Sequence, residues 1–467
     1  MNDLQADVAI VGGGISGMIA AVRAAEGGKR VIVFEKSSED RYVCNSRLTA
    51  GIWHCGLTDI KNPPQQLEAR IMEITGGTAR PELARAVAAD GIRVVRWMQT
   101  VGIRFIRGPY DYQSFMLSPP TITPQGRQWQ GRGGDVMLRT FEQALGRHKG
   151  TLMRGHKAVS LLSEGGQVKG VTLETPGGTK LNCIAGAVVL TDGGFQCNAD
   201  YIRGPITPEP GAMFQRNGRT GYGDGLRMAR EAGGVATALE GFYGHVLSVD
   251  AFSNDKLWPY RWLDFVLAGG MGVTGDGRRF ADEGQGGVYM ANAMARLVQP
   301  SGTFVIADKT IWEERGTFNL MPPNPAFMEA KGKVFIAGSL AELAAQSGID
   351  GAGLAGEVQR YNAAVDAGKT GELDPARSTA KYQAYPIRHA PFYAFPACPG
   401  ITYTMGGIAI DADCRVQDAN GQAIAGLYAA GCATGGLEGG PKSGYVGGLV
   451  KSSVTGLRAA EHILKTA

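Results

Sequence analysis

The sequence predicts an α/β fold in which one domain of parallel strands and helices is interrupted by a second, smaller domain. The chain begins with an apolar strand, a glycine turn, an alanine-rich helix and a second strand, and similar units return near its end. Between these parts the composition shifts towards aromatic residues, prolines and charged loops. We therefore predict a first domain made of residues 1–238 and 386–467, with an inserted α+β domain at residues 239–385.

The opening segment has the pattern of a nucleotide-binding unit. Residues 7–17 read Asp-Val-Ala-Ile-Val-Gly-Gly-Gly-Ile-Ser-Gly, and an alanine-rich run and a second strand that ends in an acidic residue follow. Such glycines permit a tight turn, close approach of backbone to a pyrophosphate and close packing of helix on strand, while the acid can hold ribose hydroxyls. The helix N-terminus offers free N–H groups to phosphates. The pattern predicts a Rossmann-like dinucleotide site that contains Gly12, Gly14, Ile15, Ser16, Gly17, Glu35 and Lys36.

The bulk composition indicates a globular protein and argues against several classes. A chain of 467 residues with 44% hydrophobic residues can bury a large core. Its net charge of +4 gives no case for nucleic acid or an anionic membrane as a partner. The seven cysteines are scattered without a CxxC pair, so we expect no disulfide framework and no metal or iron–sulfur site. The early first strand leaves no room for a signal peptide and no apolar run approaches roughly 20 residues, so we expect a cytoplasmic protein without a membrane span.

The next part of the chain follows helical and then strand patterns. Apolar residues at helical spacing over residues 66–106 predict two amphipathic helices. Residues 107–134, rich in Pro, Gly, Tyr and Gln, predict a long loop of the kind that often contributes to binding sites. Its candidates for substrate contact are Tyr110, Tyr112 and Trp129. A helix and three antiparallel strands are then predicted at about residues 136–145, 159–162, 168–173 and 180–184.

Three further glycine-rich segments lie where a strand ends or a helix begins. An apolar strand at residues 187–190 runs into Thr-Asp-Gly-Gly, and the glycine-rich residues 220–225 precede a helix. Open α/β sheets bind ligands at the carboxyl ends of parallel strands, so flexible backbone there favours a binding site. Residues 435–445 form another glycine turn ahead of a closing helix at about residues 446–463.

Five segments together resemble the fumarate reductase/succinate dehydrogenase flavoprotein family. They are residues 12–17, 189–195, 220–225, 404–407 and 426–431. The resemblance runs nearly end to end and implies FAD in the Rossmann-like domain, with a capping domain that closes over the isoalloxazine. FAD is favoured over NAD because the chain carries one nucleotide fingerprint and several flavin-wrapping segments. The members nearest in kind are tricarballylate dehydrogenases and 3-ketosteroid dehydrogenases.

The resemblance also implies how FAD is held. The small, polar residues 44–52 are expected to pass over the middle of the cofactor, and the positive end of the closing helix to stabilise a reduced flavin. Membrane-bound relatives attach FAD to a histidine near residues 45–47. No clear histidine stands there, and His54 lies somewhat beyond, so we expect non-covalent FAD. The further implied FAD contacts are Asn45, Ser46, Ala50, Gly51, Ala158, Thr191, Gly193, Asp224, Gly431, Ser443, Gly447, Gly448 and Leu449.

The catalytic positions depart from the fumarate reductases of this family. Those enzymes deliver a proton through an arginine, whereas the aligned residues 283–287 read Glu-Gly-Gln-Gly-Gly. Tyr403 stands where they carry a histidine, and Lys442 stands where they carry an arginine. His245 matches their substrate-binding histidine. The resemblance therefore implies related chemistry with a different set of substrate contacts.

Four residues receive roles in the predicted chemistry. Moving two hydrogens between a saturated carbon pair and FAD requires an acidified α-hydrogen, a base for that proton, and flavin N5 for the hydride. We predict that Tyr403 exchanges the α-proton, with its pKa lowered by an adjacent cation. Lys442 and His245 are expected to hold or polarise the acyl oxygen of the substrate. Tyr445 is a competing candidate for proton transfer, because ketosteroid dehydrogenases place a tyrosine near the corresponding turn.

The predicted function is FAD-dependent dehydrogenation of a CH–CH bond next to a carboxylate or ketone in a small molecule. Loss of the proton-donating arginine favours this direction over fumarate reduction. The alternatives are an enoate or fumarate-type reductase running in reverse, an amine or amino-acid oxidase, and a non-catalytic FAD-binding subunit. Because no cysteine motif provides an iron–sulfur relay, electrons are expected to leave through an external acceptor, which is oxygen, a quinone or a redox protein.

Overall fold

A largely parallel sheet is formed by the early and late parts of the chain. The computed structural model describes residues 3–120, 128–258, 261–318 and 322–466. The first sheet has eight strands. Its parallel strands are Leu4–Val11, Val31–Glu35, Thr151–Arg154, Lys180–Leu190 and Ala423–Ala429. The antiparallel additions are Lys157–Glu164, Gln167–Glu174 and Arg415–Gln417. The α/β prediction is confirmed.

The strand order brings the carboxyl ends of separate segments together. The strand Leu4–Val11 lies between Val31–Glu35 and Lys180–Leu190, parallel to both. At its end, Val11 pairs with Leu190 on one side and with Phe34 on the other. The glycine turn, the acidic residue and the Thr-Asp-Gly-Gly segment that the sequence analysis singles out therefore meet at one edge of the sheet.

Helices cover this sheet and bury its apolar strands. Ile15–Glu26 packs against the closing helix Gly448–Thr466, and the approach is so close that a Cβ at Gly456 would overlap the Ser16 carbonyl. The two amphipathic helices predicted over residues 66–106 are observed as Pro64–Ile74 and Pro81–Val101. The other helices of this part are Asn45–Leu48, Gly133–Arg147, Ala199–Ile202 and Asp224–Glu231.

A second sheet of six strands is built around the long strand Phe392–Thr404. Its other strands are Phe214–Gln215, Phe242–Ser248, Met271–Thr274, Thr303–Asp308 and Phe335–Ala337. The helices in the surrounding chain are Asp264–Gly269, Gly287–Ala295, Lys309–Glu314, Ala326–Glu329, Leu340–Ser347 and Gly351–Asp366. Two strands of this sheet fall outside residues 239–385, and the domain boundaries stay a prediction.

Short elements complete the described chain. Three two-stranded pairs are His54–Cys55 with Thr58–Asp59, Phe105–Ile106 with Met116–Leu117, and Ala236–Thr237 with Gly407–Ile408. The 3₁₀ helices are Asp111–Gln113, Pro210–Ala212, Val249–Phe252, Asp255–Leu257, Glu283–Gln285, Thr370–Glu372 and Gly431–Ala433. All seven cysteines are free thiols. Over the described ranges, no helix is both long enough and apolar enough to cross a lipid bilayer.

Candidate active site

A groove opens at the edge of the first sheet where the parallel strands end. We call it the nucleotide groove, and about 860 Å³ of space, part of it open to solvent, lies within it. Several predicted FAD contacts that lie far apart in the sequence line it together. They are Gly12, Gly14, Ile15, Ser16, Glu35, Lys36, Asn45, Ser46, Ala158, Thr191, Gly193 and Asp224.

Two glycines give the groove its shape. Gly12 has a φ of +101°, and a Cβ there would lie 2.8 Å from the Asp192 Cα and from the Thr191 carbonyl oxygen. A side chain at Gly17 would overlap the Gly12 carbonyl oxygen. Gly12 therefore makes the tight turn, and Gly17 lets the first helix lie directly on the end of the strand, as the glycine pattern predicts.

Polar groups at the rim are fixed by local hydrogen bonds. The Glu35 carboxylate accepts hydrogen bonds from the Gly13 and Ser37 amides, at 3.1 and 3.0 Å. The Ser46 hydroxyl accepts a hydrogen bond from the Ile15 amide at 2.9 Å. The Lys36 ammonium donates to the Thr220 carbonyl oxygen at 2.6 Å. These bonds hold the rim groups in place, which lowers the entropic cost of binding a ligand.

The groove fits a dinucleotide. The helix Ile15–Glu26 has no side-chain cap at Gly14. Its first amide bonds to Ser46, and the amides that follow in the first turn can be offered to phosphates. One carboxylate oxygen of Asp192 is buried, and no hydrogen-bond partner for it is present among the described residues. Burial also raises the pKa of Asp192 to about 6. Phosphates and hydroxyls of a bound dinucleotide would complete these donors and acceptors.

A second cluster of side chains lies near the start of the closing helix. We call it the aromatic chamber, and its members are His54, Tyr112, Tyr243, His245, Trp262, Tyr403 and Tyr445. Tyr243 is central, because its ring stacks on Tyr445 with centroids 3.9 Å apart. The Tyr403 and His245 rings lie 5.4 and 5.2 Å from the Tyr243 ring.

His245 is held on both sides. Its Nδ1 lies 2.6 Å from the Asp264 carboxylate, its Nε2 lies 3.0 Å from the Tyr243 hydroxyl, and its ring stacks on Trp262. Burial lowers the pKa of His245, and the Asp264 carboxylate only partly opposes this effect. The neutral ring therefore donates from Nδ1 to Asp264 and accepts at Nε2 from Tyr243.

His54 forms the opposite wall and is also neutral. Its ring makes edge contacts with Tyr112 and Tyr445, at centroid distances of 5.9 and 5.4 Å. Its Nδ1 accepts a hydrogen bond from the Leu57 amide at 3.2 Å. Burial lowers the pKa of His54 to about 4, so the ring carries no charge at neutral pH.

Tyr403 has a different partner. Its hydroxyl donates to the buried Glu438 carboxylate at 3.1 Å. Glu438 also accepts from the Val446 and Gly447 amides and pairs with the buried Lys451 ammonium at 3.3 Å. Burial and the Glu438 charge raise the pKa of Tyr403 well above its ordinary value. The expected lowering of this pKa by a cation is therefore wrong, because the nearest charge is a carboxylate and its cation lies behind it.

The nucleotide groove and the sequence comparisons lead to one family. The family described as "FAD binding domain" matches residues 7–444. The chain belongs to this FAD-binding family. It is an FAD-dependent oxidoreductase, related to the fumarate reductase flavoproteins that the sequence motifs resemble.

Two relatives and one solved structure illustrate the range of the family. Fumarate reductase (cytochrome) of Shewanella frigidimarina is 26% identical over 98% of this chain and 77% of its own. The 4-oxocyclohexanecarboxylate 2-dehydrogenase of Sinomonas cyclohexanicum is 25% identical over 94% of this chain and 89% of its own. The 3-ketosteroid delta1-dehydrogenase of Sterolibacterium denitrificans has the same fold, with a TM-score of 0.76 and 23% identity over 99% of this chain and 100% of its own.

Some predicted FAD contacts lie outside the groove lining. Gly431 packs over Ser16, Gly51 abuts Leu117, and a Cβ at Gly448 would lie 3.0 Å from the Tyr403 ring. Ser443 is buried in the turn before the closing helix. The others outside the lining are Gly17, Ala50, Gly447 and Leu449. Gly447 and Gly448 connect the chamber to the closing helix, and their contact with FAD stays a prediction.

The catalytic candidates are only partly brought together. Tyr403, Tyr445 and His245 share the chamber, whereas Lys442 is exposed in the turn that packs on Gly76. Of the loop candidates, Tyr112 joins the chamber. Tyr110 stacks on Tyr112, while Trp129 lies 5.7 Å from the Arg47 guanidinium. Residues 121–127 of that loop lie outside the described residues.

Sequence reasoning missed Tyr243 and the charged partners of the chamber residues. Tyr243 is detectable, because it stands two residues before His245 and alternate residues of a strand share a face. Asp264, Glu438 and Lys451 lie 19, 35 and 13 positions from the partners they bind, with no recognisable motif. Only the tertiary structure shows these partnerships.

Proposed function

We propose that the protein dehydrogenates a ketone, removing two hydrogens from the adjacent α and β carbons. The aromatic chamber is the observation that carries this proposal. Its polar groups are tyrosine hydroxyls and neutral imidazoles, which can hold a carbonyl oxygen and exchange a proton. Its rings offer an apolar surface to a cyclic carbon skeleton. Tyr403 lies against Gly448, so the chamber adjoins a predicted FAD contact.

A dicarboxylate is a poorer match to this chamber. Burying a carboxylate is costly unless cations or several hydrogen-bond donors receive it. Among the described residues, the carboxylates of Glu438 and Asp264 are hydrogen-bonded to the chamber side chains Tyr403 and His245. The Arg216 guanidinium lies over the Trp262 ring and donates to the Thr402 hydroxyl. Lys442 is exposed and adds no charge to the chamber. A neutral ketone avoids the repulsion that a dicarboxylate would meet.

FAD completes the proposed site. The nucleotide groove would hold its adenosine and pyrophosphate, through the helix at Ile15 and the carboxylate of Glu35. When bound, its isoalloxazine supplies the hydride acceptor. The protein side chains would position the ketone, exclude water and move the α-proton. An external electron acceptor and a cytoplasmic location are part of the same proposal, and the free cysteines are compatible with a reducing compartment.

The reverse reaction is the second candidate, because several relatives are named as reductases. They include the fumarate reductase (cytochrome) of Shewanella frigidimarina and the vinyl phenol reductase of Lactiplantibacillus plantarum. Reduction would use the same groove and chamber, with an α,β-unsaturated carbonyl compound as substrate. Whether the enzyme works as a dehydrogenase or as a reductase is therefore a question for experiment.

Anaerobic titration of the holoenzyme separates these candidates. The compounds added are cyclohexanone, 4-oxocyclohexanecarboxylate, succinate and butyrate. The readout is bleaching of the oxidised flavin band at about 450 nm. We expect at least one of the two cyclic ketones to bleach the flavin, and we expect succinate and butyrate to leave it oxidised. Bleaching by succinate alone would overturn the ketone proposal. Reoxidation of reduced enzyme by cyclohexenone, without bleaching by either ketone, would make the protein a reductase.

A further inference from the structure

Three side chains on the wall of the chamber form a continuous hydrogen-bonded chain. The Tyr243 hydroxyl lies 3.0 Å from His245 Nε2, and His245 Nδ1 lies 2.6 Å from an Asp264 carboxylate oxygen. Tyr243 is half-buried and belongs to the chamber, while His245 and Asp264 lie behind it. The chain therefore leads from Tyr243 in the chamber into the protein interior.

The far end of this chain is fixed. The second oxygen of the Asp264 carboxylate accepts a hydrogen bond from the Val246 amide at 2.8 Å. Any side chain at Gly287 would overlap that carboxylate, so this glycine gives Asp264 its space. Trp262 stacks on the His245 ring with centroids 4.0 Å apart. These contacts hold the imidazole so that Nε2 presents its lone pair to the Tyr243 hydroxyl.

We propose that Tyr243 is the catalytic residue that takes the α-proton of the substrate, with His245 and Asp264 as positioning residues that receive the tyrosine proton. This inference rests on the proposed function. The α-carbon gives its proton to the Tyr243 oxygen as the Tyr243 proton moves to His245 Nε2. The electron pair of the broken α C–H bond forms the new carbon–carbon double bond. Bound FAD would supply the acceptor for the β-hydrogen, which would leave with its two electrons as hydride, so that the ketone is oxidised and the cofactor is reduced.

Tyr243 and Tyr403 differ in the charges that form when each hydroxyl gives up its proton. Moving the Tyr243 proton to His245 creates an imidazolium beside the Asp264 carboxylate, which is a favourable pair. Tyr403 donates to Glu438, so loss of its proton would place a phenolate 3.1 Å from a carboxylate. Like charges at this distance oppose ionisation. Passing the Tyr403 proton to Glu438 instead would neutralise the carboxylate that pairs with the buried Lys451 ammonium. Proton transfer from Tyr243 therefore creates an ion pair, whereas proton transfer from Tyr403 would break one.

Proton exchange tests the relay separately from hydride transfer. Holoenzyme reduced with dithionite is mixed with 4-oxocyclohexanecarboxylate in D₂O, and loss of the α-proton signals is followed by NMR. Reduced flavin accepts no hydride, so exchange reports the proton step alone. We expect the wild-type enzyme to catalyse exchange and Tyr243→Phe to slow it by about 100-fold or more, the usual contribution of a general base. FAD content should stay unchanged.

A matched control uses another tyrosine of the same sheet. Tyr393 lies on the strand Phe392–Thr404 and packs on Phe395 and Trp312, away from the chamber. Tyr393→Phe should exchange the α-protons at the wild-type rate. Exchange by Tyr243→Phe within threefold of that control would overturn the proposal, and so would absence of exchange by the wild-type enzyme. Exchange without bleaching in the anaerobic titration would instead remove the dehydrogenase direction and leave the relay in place.

The positioning roles have their own readout. In His245→Gln, Tyr243 must lose its proton without an acceptor, so the exchange rate should fall by about 10- to 100-fold at neutral pH. The rate should then rise with pH towards the pKa of Tyr243, which burial raises above the ordinary value of a phenol. The wild-type rate should change little from pH 7 to 9, because His245 is already neutral. Asp264→Asn should also slow exchange, and Asp264→Glu should restore part of it. The other titratable groups that face this pair are Arg216, Lys381 and Tyr382. A pH profile of His245→Gln parallel to that of the wild type would contradict the relay.

Discussion

The nucleotide groove and the aromatic chamber are built from different materials. The groove is shaped by backbone, since glycines at positions 12 and 17 allow strand, turn and helix to approach closely. The chamber is shaped by side chains, since rings stack on rings and the Tyr243 and Tyr403 hydroxyls bond to His245 and Glu438. The first region offers amide groups to phosphates, and the second offers phenols and imidazoles to a carbonyl compound.

This difference predicts how each region responds to mutation. A backbone site fails when a side chain occupies the space that the ligand or a neighbouring strand needs. A side-chain site keeps its shape when one hydroxyl is removed, but its proton chemistry changes. The groove should therefore lose binding outright, whereas the chamber should lose either rate or stability, depending on which polar partner is removed.

The largest expected effect concerns the groove. In Gly12→Ala the new Cβ would lie 2.8 Å from the Asp192 backbone at a φ of +101°, so the turn must shift. We expect the purified variant to lose bound FAD, measured as the ratio of flavin to protein absorbance. Gly146→Ala is the control, because a Cβ at that helical position meets nothing within 4 Å. A normal flavin content in Gly12→Ala would show that the groove tolerates side chains and would break the comparison.

A second prediction divides the chamber into a structural and a chemical half. Glu438 is buried, accepts from Tyr403 and two amides, and pairs with Lys451. Glu438→Gln would leave the buried Lys451 ammonium without its carboxylate. We expect the free energy of unfolding to fall by about 3 kcal/mol, because breaking a buried ion pair leaves a buried charge without its partner. Urea denaturation of the holoenzyme measures this change.

The control for this substitution is a surface ion pair. Glu73 pairs with Arg70 at 2.8 Å, but its side chain is 64% exposed. Glu73→Gln should change the free energy of unfolding by less than about 1 kcal/mol. Equal effects of Glu438→Gln and Glu73→Gln would mean that the Glu438 network adds little stability. The division of the chamber into a structural half and a chemical half would then be wrong.

How far each region could be predicted follows from how local it is. The glycine turn, Glu35 and the Thr-Asp-Gly-Gly segment are short patterns with fixed geometric consequences, so the α/β fold and many groove residues follow from them. The chamber joins His54, Tyr243, Tyr403 and Tyr445 from four separate segments. A sequence motif carries no information on contacts between segments that lie far apart in the chain.

Charge was harder to predict than position. Tyr403 and His245 were identified from the resemblance, and the structure places both in the chamber. The predicted sign of the electric field at Tyr403 is wrong, because the sequence analysis expects an adjacent cation and the structure places the Glu438 carboxylate at the hydroxyl. A pKa depends on the nearest few ångströms, and residues 35 positions apart in sequence supply that environment here.

The smallest expected effect tests whether the groove is purely a backbone site. Burial raises the pKa of Asp192 from 3.8 to about 6, so the folded protein prefers the protonated carboxyl. This preference stabilises the fold fully below about pH 4, and the contribution is lost as the pH rises through about 6. In Asp192→Asn that pH dependence should disappear. Measured without FAD, the Tm of the variant minus the Tm of the wild type should therefore increase between pH 4 and 6 and stay constant at higher pH. Asp200→Asn, which alters an exposed carboxylate, should leave the difference from wild type independent of pH over this range. Parallel curves for Asp192→Asn and the wild type would show that this side chain is already solvated and that its burial contributes nothing to the pH dependence of stability.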